Sequence, residues 1–129
     1  MTTVTKRSII PHGVVFLYDP TMIVDVPEDT GSAPILHTDT CVSIWTVQED
    51  EGEVLLTLSD DVPDAHGRLV FEGVMETEGR RLAFNESGVN PILELAVSGT
   101  RTKVTLFTNQ SFYPDSVTCL IHPDSAPRP

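Results

Sequence analysis

The alternation of apolar and polar residues over short runs is the feature that most constrains the fold of this chain. In the run that ends at Thr108, Val104 and Leu106 alternate with Thr105 and Phe107, as in a strand with both faces at least partly covered. A period of two is typical of β-strands, whereas amphipathic helices repeat every 3.6 residues. No convincing helical period occurs in the 129 residues. The pattern therefore predicts an all-β chain.

Strands are predicted wherever such a run lies between clusters of Gly, Pro, Asp, Asn or Ser. The predicted strands cover Val14–Tyr18, Met22–Val26, Thr40–Gln48, Val54–Ser59, Arg68–Glu76, Arg81–Phe84, Ile92–Val97, Thr102–Thr108 and Ser116–Ile121. Hairpin turns are predicted at Glu49–Glu53 and at Ser98–Thr100, and a β-bulge at Gly73. Short strands at regular spacing favour a single-domain antiparallel β-sandwich or barrel of about eight to nine strands.

Length and composition indicate one domain. A chain of 129 residues with a hydrophobic fraction of 40% can bury one core. Residues 1–10 and 124–129 are expected to be loosely ordered around it. We expect neither a signal peptide nor a membrane span, because no apolar run approaches the required length. Cys41 and Cys119 fit a reducing compartment, so a cytoplasmic location is expected.

Charge is distributed unevenly along the chain, whose formal net charge is −11. Between Ser8 and Gly67 there is no Lys or Arg, while the same stretch holds twelve Asp and Glu residues. An acidic surface disfavours nucleic acid and anionic membranes as partners, since both attract basic patches. It favours a basic protein partner through faster encounter and charge complementarity. The alternative is that the acidity only keeps the protein in solution.

Candidate catalytic and metal-binding groups form no recognisable motif. The histidines lie singly in predicted loops, without the spacing of zinc ligands. The densest group of possible metal ligands consists of Asp60, Asp61, Asp64 and His66. That group lacks the ligand spacing of a calcium loop, so a solvated acidic turn is favoured over a metal site.

Nucleophilic catalysis is also disfavoured. An acid stands two residues after His37 and after His122, which could orient a general base. No Ser or Cys, however, has the sequence context of an activated nucleophile. Both cysteines lie in apolar strands, where a thiol is expected to stay protonated. We therefore predict a non-enzymatic protein without a metal or another cofactor.

Five segments carry a resemblance to a known family. They are His12–Asp19 (HGVVFLYD), Cys41–Val47 (CVSIWTV), Val54–Leu58 (VLLTL), Arg81–Phe84 (RLAF) and Thr102–Phe107 (TKVTLF). In order, spacing and total length they resemble the competence protein J family. The resemblance implies a small, acidic, cytoplasmic protein that inhibits a partner nuclease. It is a resemblance of pattern and implies no site residues.

These features predict a non-enzymatic acidic binding protein, such as an inhibitor or immunity-type partner of a basic protein, for example a nuclease. It would be a monomer or a homodimer, with no nucleic acid or membrane as partner. The candidate contact residues are Glu49, Asp50, Glu51, Glu53, Asp60, Asp61, Asp64, Phe112 and Tyr113. In a sandwich the two acidic turns would lie at opposite ends, so one interface would not include both.

The alternative function is that of a small-molecule or carbohydrate-binding β-sandwich. Its pocket would be lined by Trp45, Phe112 and Tyr113, with His37 or His66 supplying polar contacts. Aromatic side chains line such pockets together with a few polar groups. An apolar cavity of about 300 Å³ or more would favour this alternative.

Overall fold

Two five-stranded sheets pack face to face. The structure, a computed structural model, describes residues 2–23, 25–28, 33–60, 67–86, 91–110 and 112–122. Within them the strands are β1 (Thr3–Ser8), β2 (Val14–Tyr18), β3 (Ile35–His37), β4 (Cys41–Trp45), β5 (Val54–Ser59), β6 (Arg68–Glu76), β7 (Arg81–Asn85), β8 (Leu93–Ala96), β9 (Arg101–Thr108) and β10 (Ser116–Ile121). A 3₁₀ turn, Pro11–Gly13, precedes β2. The predicted all-β sandwich is confirmed.

The chain passes repeatedly between the sheets. Sheet A has the strand order β1-β5-β10-β9-β6, and sheet B the order β3-β4-β2-β7-β8. Neighbouring strands are antiparallel, except that β5 and β10 are parallel. The connections β1–β2, β4–β5, β6–β7 and β8–β9 each join one sheet to the other. The topology thus brings sequence-distant loops together at the ends of the sandwich.

The two predicted hairpin turns are wrong. Glu49–Glu53 joins β4 of sheet B to β5 of sheet A, and Ser98–Thr100 joins β8 of sheet B to β9 of sheet A. Each turn is therefore an arch over the core. Alternation along two consecutive strands is the same whether they pair side by side or face each other across the core. The choice depends on long-range packing, which a local pattern does not contain.

Several strand predictions differ from the structure. Thr3–Ser8 forms β1, where a loose segment was expected, because Val4 packs against the core and the strand pairs with β5. Ile35–His37 forms β3, where no strand was predicted. The described residues of the predicted strand Met22–Val26 form no strand. The predicted tail, residues 124–129, lies outside the described residues.

The irregularity of β6 also differs from the prediction. Gly73 stays in register with Val104, and the register shift falls between Leu69 and Phe71. A Cβ added at Gly73 would lie 2.9 Å from the Phe71 ring. Glycine at this position therefore makes room for an aromatic ring rather than for a bulge.

The core lies between the sheets and is filled by alternate residues of the strands. Val15, Leu17 and Ile44 of sheet B, with Leu56 and Leu58 of sheet A, have no exposed surface. Fully burying such side chains stabilises a fold by about 1.5–3 kcal/mol each. The same alternation directs Trp45 and its neighbours to the outer face of sheet B.

The sandwich has two distinct ends. At one, which we call the aromatic end, β2 and β5 begin and β4 and β9 finish. At the opposite end, the carboxylate of buried Asp19 accepts hydrogen bonds from the Thr21 N–H (2.8 Å), the Thr21 hydroxyl (2.7 Å) and the Gly79 N–H (2.7 Å). These bonds tie the end of β2 to the β6–β7 turn, so we call this the Asp19 end.

Candidate functional site

The aromatic end is assembled from connections that lie far apart in sequence. They are the segments 9–13, 46–53 and 112–115. Backbone hydrogen bonds join them: the Thr46 N–H donates to the Gly13 carbonyl (2.7 Å), and the Val47 N–H donates to the Pro114 carbonyl (3.1 Å). Because satisfied backbone bonds hold the segments together, the backbones that carry the exposed side chains have fixed relative positions.

Two of these connections adopt a left-handed backbone. Among the described residues, the non-glycine residues with positive φ are His12 (61°), Arg80 (58°) and Tyr113 (49°). His12 and Tyr113 lie at the aromatic end. Gly13 has φ +66°, and a Cβ there would lie 2.9 Å from the Gln48 amide nitrogen. Non-glycine residues in this conformation carry strain, which concentrates at functional sites.

The acidic turn, which we define as Glu49, Asp50, Glu51 and Glu53, projects from the aromatic end. All four side chains are exposed. The Glu51 N–H donates to the Gln48 carbonyl (2.9 Å) and closes the turn. Asp60 belongs to the opposite end, where its N–H donates to the Thr2 carbonyl (3.0 Å). One surface therefore does not include both Asp60 and the acidic turn. Asp61, Asp64 and His66 lie outside the described residues.

Exposed aromatic rings stand beside the acidic turn. Tyr113 is 47% exposed and Phe112 62% exposed. The Tyr113 ring lies nearly parallel to the half-buried indole of Trp45, with an angle of 12° between planes and 6.5 Å between centroids. The Gln110 amide donates to the carbonyls of Phe112 (2.9 Å) and Tyr113 (3.1 Å) and supports this loop. Exposed aromatics in a supported loop are typical of interface anchors.

An open groove runs past Trp45. It consists of two adjoining cavities of about 320 Å³ and 230 Å³, which share His12, Val14 and Trp45. The larger is also lined by Pro11, Phe16, Val26, Pro27, Ser43 and Glu86. The smaller is also lined by Gly13, Gln48 and Tyr113. The groove therefore has an apolar half and a polar half that meet at Trp45.

The groove differs in composition from the predicted pocket. Trp45 and Tyr113 line it as expected, whereas Phe112 is not among the lining residues. His37 lies at the Asp19 end, where its ring contacts Phe71 at 4.9 Å between centroids. The histidine of the groove is His12 instead. Its place beside Trp45 results from the pairing of β2 with β4, for which the local sequence carries no signal.

The two histidines with catalytic potential have described contacts with other residues, His37 with Phe71 and His122 with Thr105. The His122 Nε2 lies 2.6 Å from the Thr105 hydroxyl, and Asp124 is outside the described residues. Cys41 and Cys119 are buried and unpaired. Burial raises the pKa of Cys41 to about 12, and it also raises the pKa of Cys119. Both thiols are therefore protonated at neutral pH, the unreactive form.

The described part of the chain holds neither a metal-binding cluster nor a membrane-spanning helix. No group of three or more His, Cys, Asp and Glu side chains in it is placed to hold a metal ion. No helix among the same residues is long and apolar enough to cross a membrane.

Comparison with known proteins identifies a similar fold. No family model matches the sequence, and no curated protein matches it. The crystal structure of ComJ, inhibitor of the DNA degrading activity of NucA, from Bacillus subtilis is similar to this structure, with a TM-score of 0.60. The sequences are 9% identical, and the match covers 93% of this chain and 95% of that chain. The resemblance found in the five sequence segments is confirmed at the level of the fold.

Proposed function

We propose that this protein is a non-enzymatic acidic inhibitor that binds a basic protein partner, with a nuclease as the partner class. The observation that carries the proposal is the aromatic end, where the acidic turn and exposed Phe112 and Tyr113 occupy one supported surface. The fold shared with ComJ, an inhibitor of a nuclease, supports the same partner class.

The chemistry of nucleases suits such a surface. A protein that cleaves DNA must bind a phosphate backbone and uses Lys and Arg to do so. An acidic protein can occupy that basic cleft and exclude DNA, while opposite charges accelerate the encounter. The exposed aromatics would supply the buried anchors that make such a complex persist. Asp60, at the Asp19 end, is outside this interface.

The test compares two double variants of equal charge. Glu49→Lys with Glu51→Lys alters the acidic turn, and Asp39→Lys with Glu78→Lys makes the same change in net charge at the Asp19 end. All four side chains are exposed, so both variants should fold. Immobilised protein is incubated with native lysate at about 0.05 M salt, and bound material is eluted at about 0.5 M salt, where exposed charges are screened.

The eluate is then assayed for DNA degradation with and without added free protein. We expect a nuclease activity that the wild-type protein inhibits. The acidic-turn variant should need at least about tenfold more protein for the same inhibition, since charge complementarity is lost. The variant at the Asp19 end should inhibit like the wild type. Equal inhibition by both variants, or no captured nuclease, would contradict the proposal.

The groove favours one alternative, a small-molecule or carbohydrate-binding function. Its larger cavity, about 320 Å³, is at the lower limit of small-ligand pockets, and Trp45 offers a ring on which a sugar could stack. A neutral sugar that binds there would change the fluorescence of Trp45 without any dependence on salt. Salt-sensitive inhibition by the acidic turn would instead favour the inhibitor function.

A further inference from the structure

The two halves of the groove differ in the part of a ligand that each could hold. Phe16, Val26 and Pro27 give the larger cavity an apolar wall, and the carboxylate-bearing Glu86 stands among them. His12, Gln48 and Tyr113 make the smaller cavity more polar. An occupant that fits both halves has an apolar stem and a polar head, and it passes over Trp45 between them.

The charge around the groove favours a positive charge on the polar head of the ligand. None of the residues that line either cavity is Lys or Arg. Glu86 lines the groove, and the acidic turn begins directly after Gln48. A cation is therefore attracted, while a phosphate or a carboxylate would find no cationic partner there.

The geometry of the Trp45 and Tyr113 rings favours a planar head group. The rings of Trp45 and Tyr113 lie within 12° of parallel, and both border the smaller cavity. A planar guanidinium stacks on such faces through cation–π attraction, and it is more weakly hydrated than an ammonium. The ammonium group of a lysine side chain has no planar surface and is more strongly hydrated.

Resting on the function proposed above, we propose that the groove receives an arginine side chain of the basic partner. Its guanidinium stacks on the indole ring of Trp45, its methylene stem lies against the apolar wall, and Glu86 with the acidic turn supplies the compensating charge. Backbone hydrogen bonds from Thr46 to Gly13 and from Val47 to Pro114 hold the two sides of this slot in place. The groove would then set specificity for one arginine of the partner surface.

The test uses Trp45 as its own reporter, because the chain contains one tryptophan. The wild-type protein is titrated with acetyl-Gly-Arg-Gly-amide and with the same peptide carrying lysine or citrulline, which has the shape of arginine without its charge. The arginine peptide should change the fluorescence saturably, with a Kd on the order of millimolar for a single side chain. It should bind about two- to fivefold more tightly than either control peptide.

Two variants locate the binding. Tyr113→Ala and Glu86→Gln should each weaken the arginine peptide, and Glu78→Gln, a matched change at the Asp19 end, should not. Circular dichroism and the melting temperature confirm that each variant is folded. The indole N–H resonance of Trp45, followed by NMR, should shift in the same order as the fluorescence. Equal affinity for arginine and citrulline peptides, or equal loss in Glu86→Gln and Glu78→Gln, would overturn the proposal.

Failure of this proposal is distinguishable from failure of the proposed function. If nuclease inhibition depends on the acidic turn but no peptide binds at Trp45, the arginine slot is wrong and the inhibitor function remains. If the arginine peptide binds as expected but no nuclease is captured, the slot is supported and the class of the partner is wrong.

Discussion

At the scale of single residues, two of the three described non-glycine residues with positive φ, His12 and Tyr113, lie at the aromatic end, while Arg80 lies at the Asp19 end. Tyr113 precedes Pro114, and a residue before proline favours an extended backbone, yet its φ is 49°. The cost of such a conformation is about 1 kcal/mol or more. Backbone bonds such as that from Val47 to Pro114 offset it. The left-handed conformation therefore lowers stability, and the backbone hydrogen bonds maintain it.

This strain predicts a difference between two substitutions of His12. His12→Gly and His12→Ala remove the same ring, but only glycine adopts a positive φ without steric cost. The glycine variant should therefore be more stable than the alanine variant by about 1 kcal/mol in urea unfolding. Both should bind the partner more weakly than the wild type, because both lack the imidazole of the groove.

A matched substitution checks that the difference comes from the backbone. His37 has no positive φ, so His37→Gly should be less stable than His37→Ala, the reverse order. The same order at both positions would show that φ at His12 carries no strain. This measurement needs no partner, and the binding comparison then tells whether the strained residue serves a function.

At the scale of elements, β4 and β10 each bury a cysteine, and this predicts how stability depends on pH. The thiols of the unfolded chain ionise near pH 9, whereas the raised pKa values keep Cys41 and Cys119 protonated in the folded state. Above about pH 9 the unfolded state therefore binds fewer protons, and stability falls as pH rises. Each thiol contributes a slope of about 1.4 kcal/mol per pH unit, up to about pH 12 for Cys41.

Urea unfolding at about pH 8, 9 and 10 measures this slope. The variant Cys41→Ala with Cys119→Ala should lose most of the alkaline destabilisation, even though small cavities lower its stability at every pH. The two proteins share every other side chain, so the difference between the slopes isolates the thiols. A double variant with the wild-type slope would mean that the thiols ionise in the folded state.

The elements also show how far local sequence determines this fold. Alternation predicted β2, β5, β6 and β10 with the bounds they have, and burial alternates most clearly along β2 and the first part of β5. It missed the partners of these strands: β5 pairs with β10 in parallel, and β4 arches over to β5. The acidic turn could be predicted from composition. Its neighbours at the groove include His12, about 35 residues earlier in the sequence, and Tyr113, about 65 residues later. Long-range strand pairing brings these segments together, and local sequence does not predict it.

At the scale of the whole molecule, the acids do not gather on one face. Strands β2, β3 and β4 of sheet B contain no Lys or Arg, while β1, β6 and β9 of sheet A carry Lys6, Arg7, Arg68, Arg101 and Lys103. Exposed acids occur at both ends, with the acidic turn at one and Asp39 at the other. Overall charge can thus steer a basic partner, and the aromatic end adds exposed aromatic rings and a groove to that charge.

This distribution predicts that salt has opposite effects on stability and on binding. Among the described residues the ion pairs are Arg81–Glu94 and Lys103–Glu72, both on the surface. Since exposed pairs contribute little, self-repulsion of the net charge of −11 dominates. Raising salt from about 0.01 M to about 0.1 M shortens the Debye length from about 30 Å to about 10 Å. The melting temperature should rise by about 3 °C, while affinity for the basic partner falls.

The two charge variants separate these effects. Glu49→Lys with Glu51→Lys and Asp39→Lys with Glu78→Lys reduce the net charge equally, so both should show the same smaller rise of melting temperature with salt. Only the first pair removes charge from the aromatic end, and only that pair should lower the salt dependence of partner binding. A melting temperature that falls with salt would mean that attraction dominates the free protein. An equal loss of salt dependence in both variants would assign recognition to total charge rather than to the aromatic end.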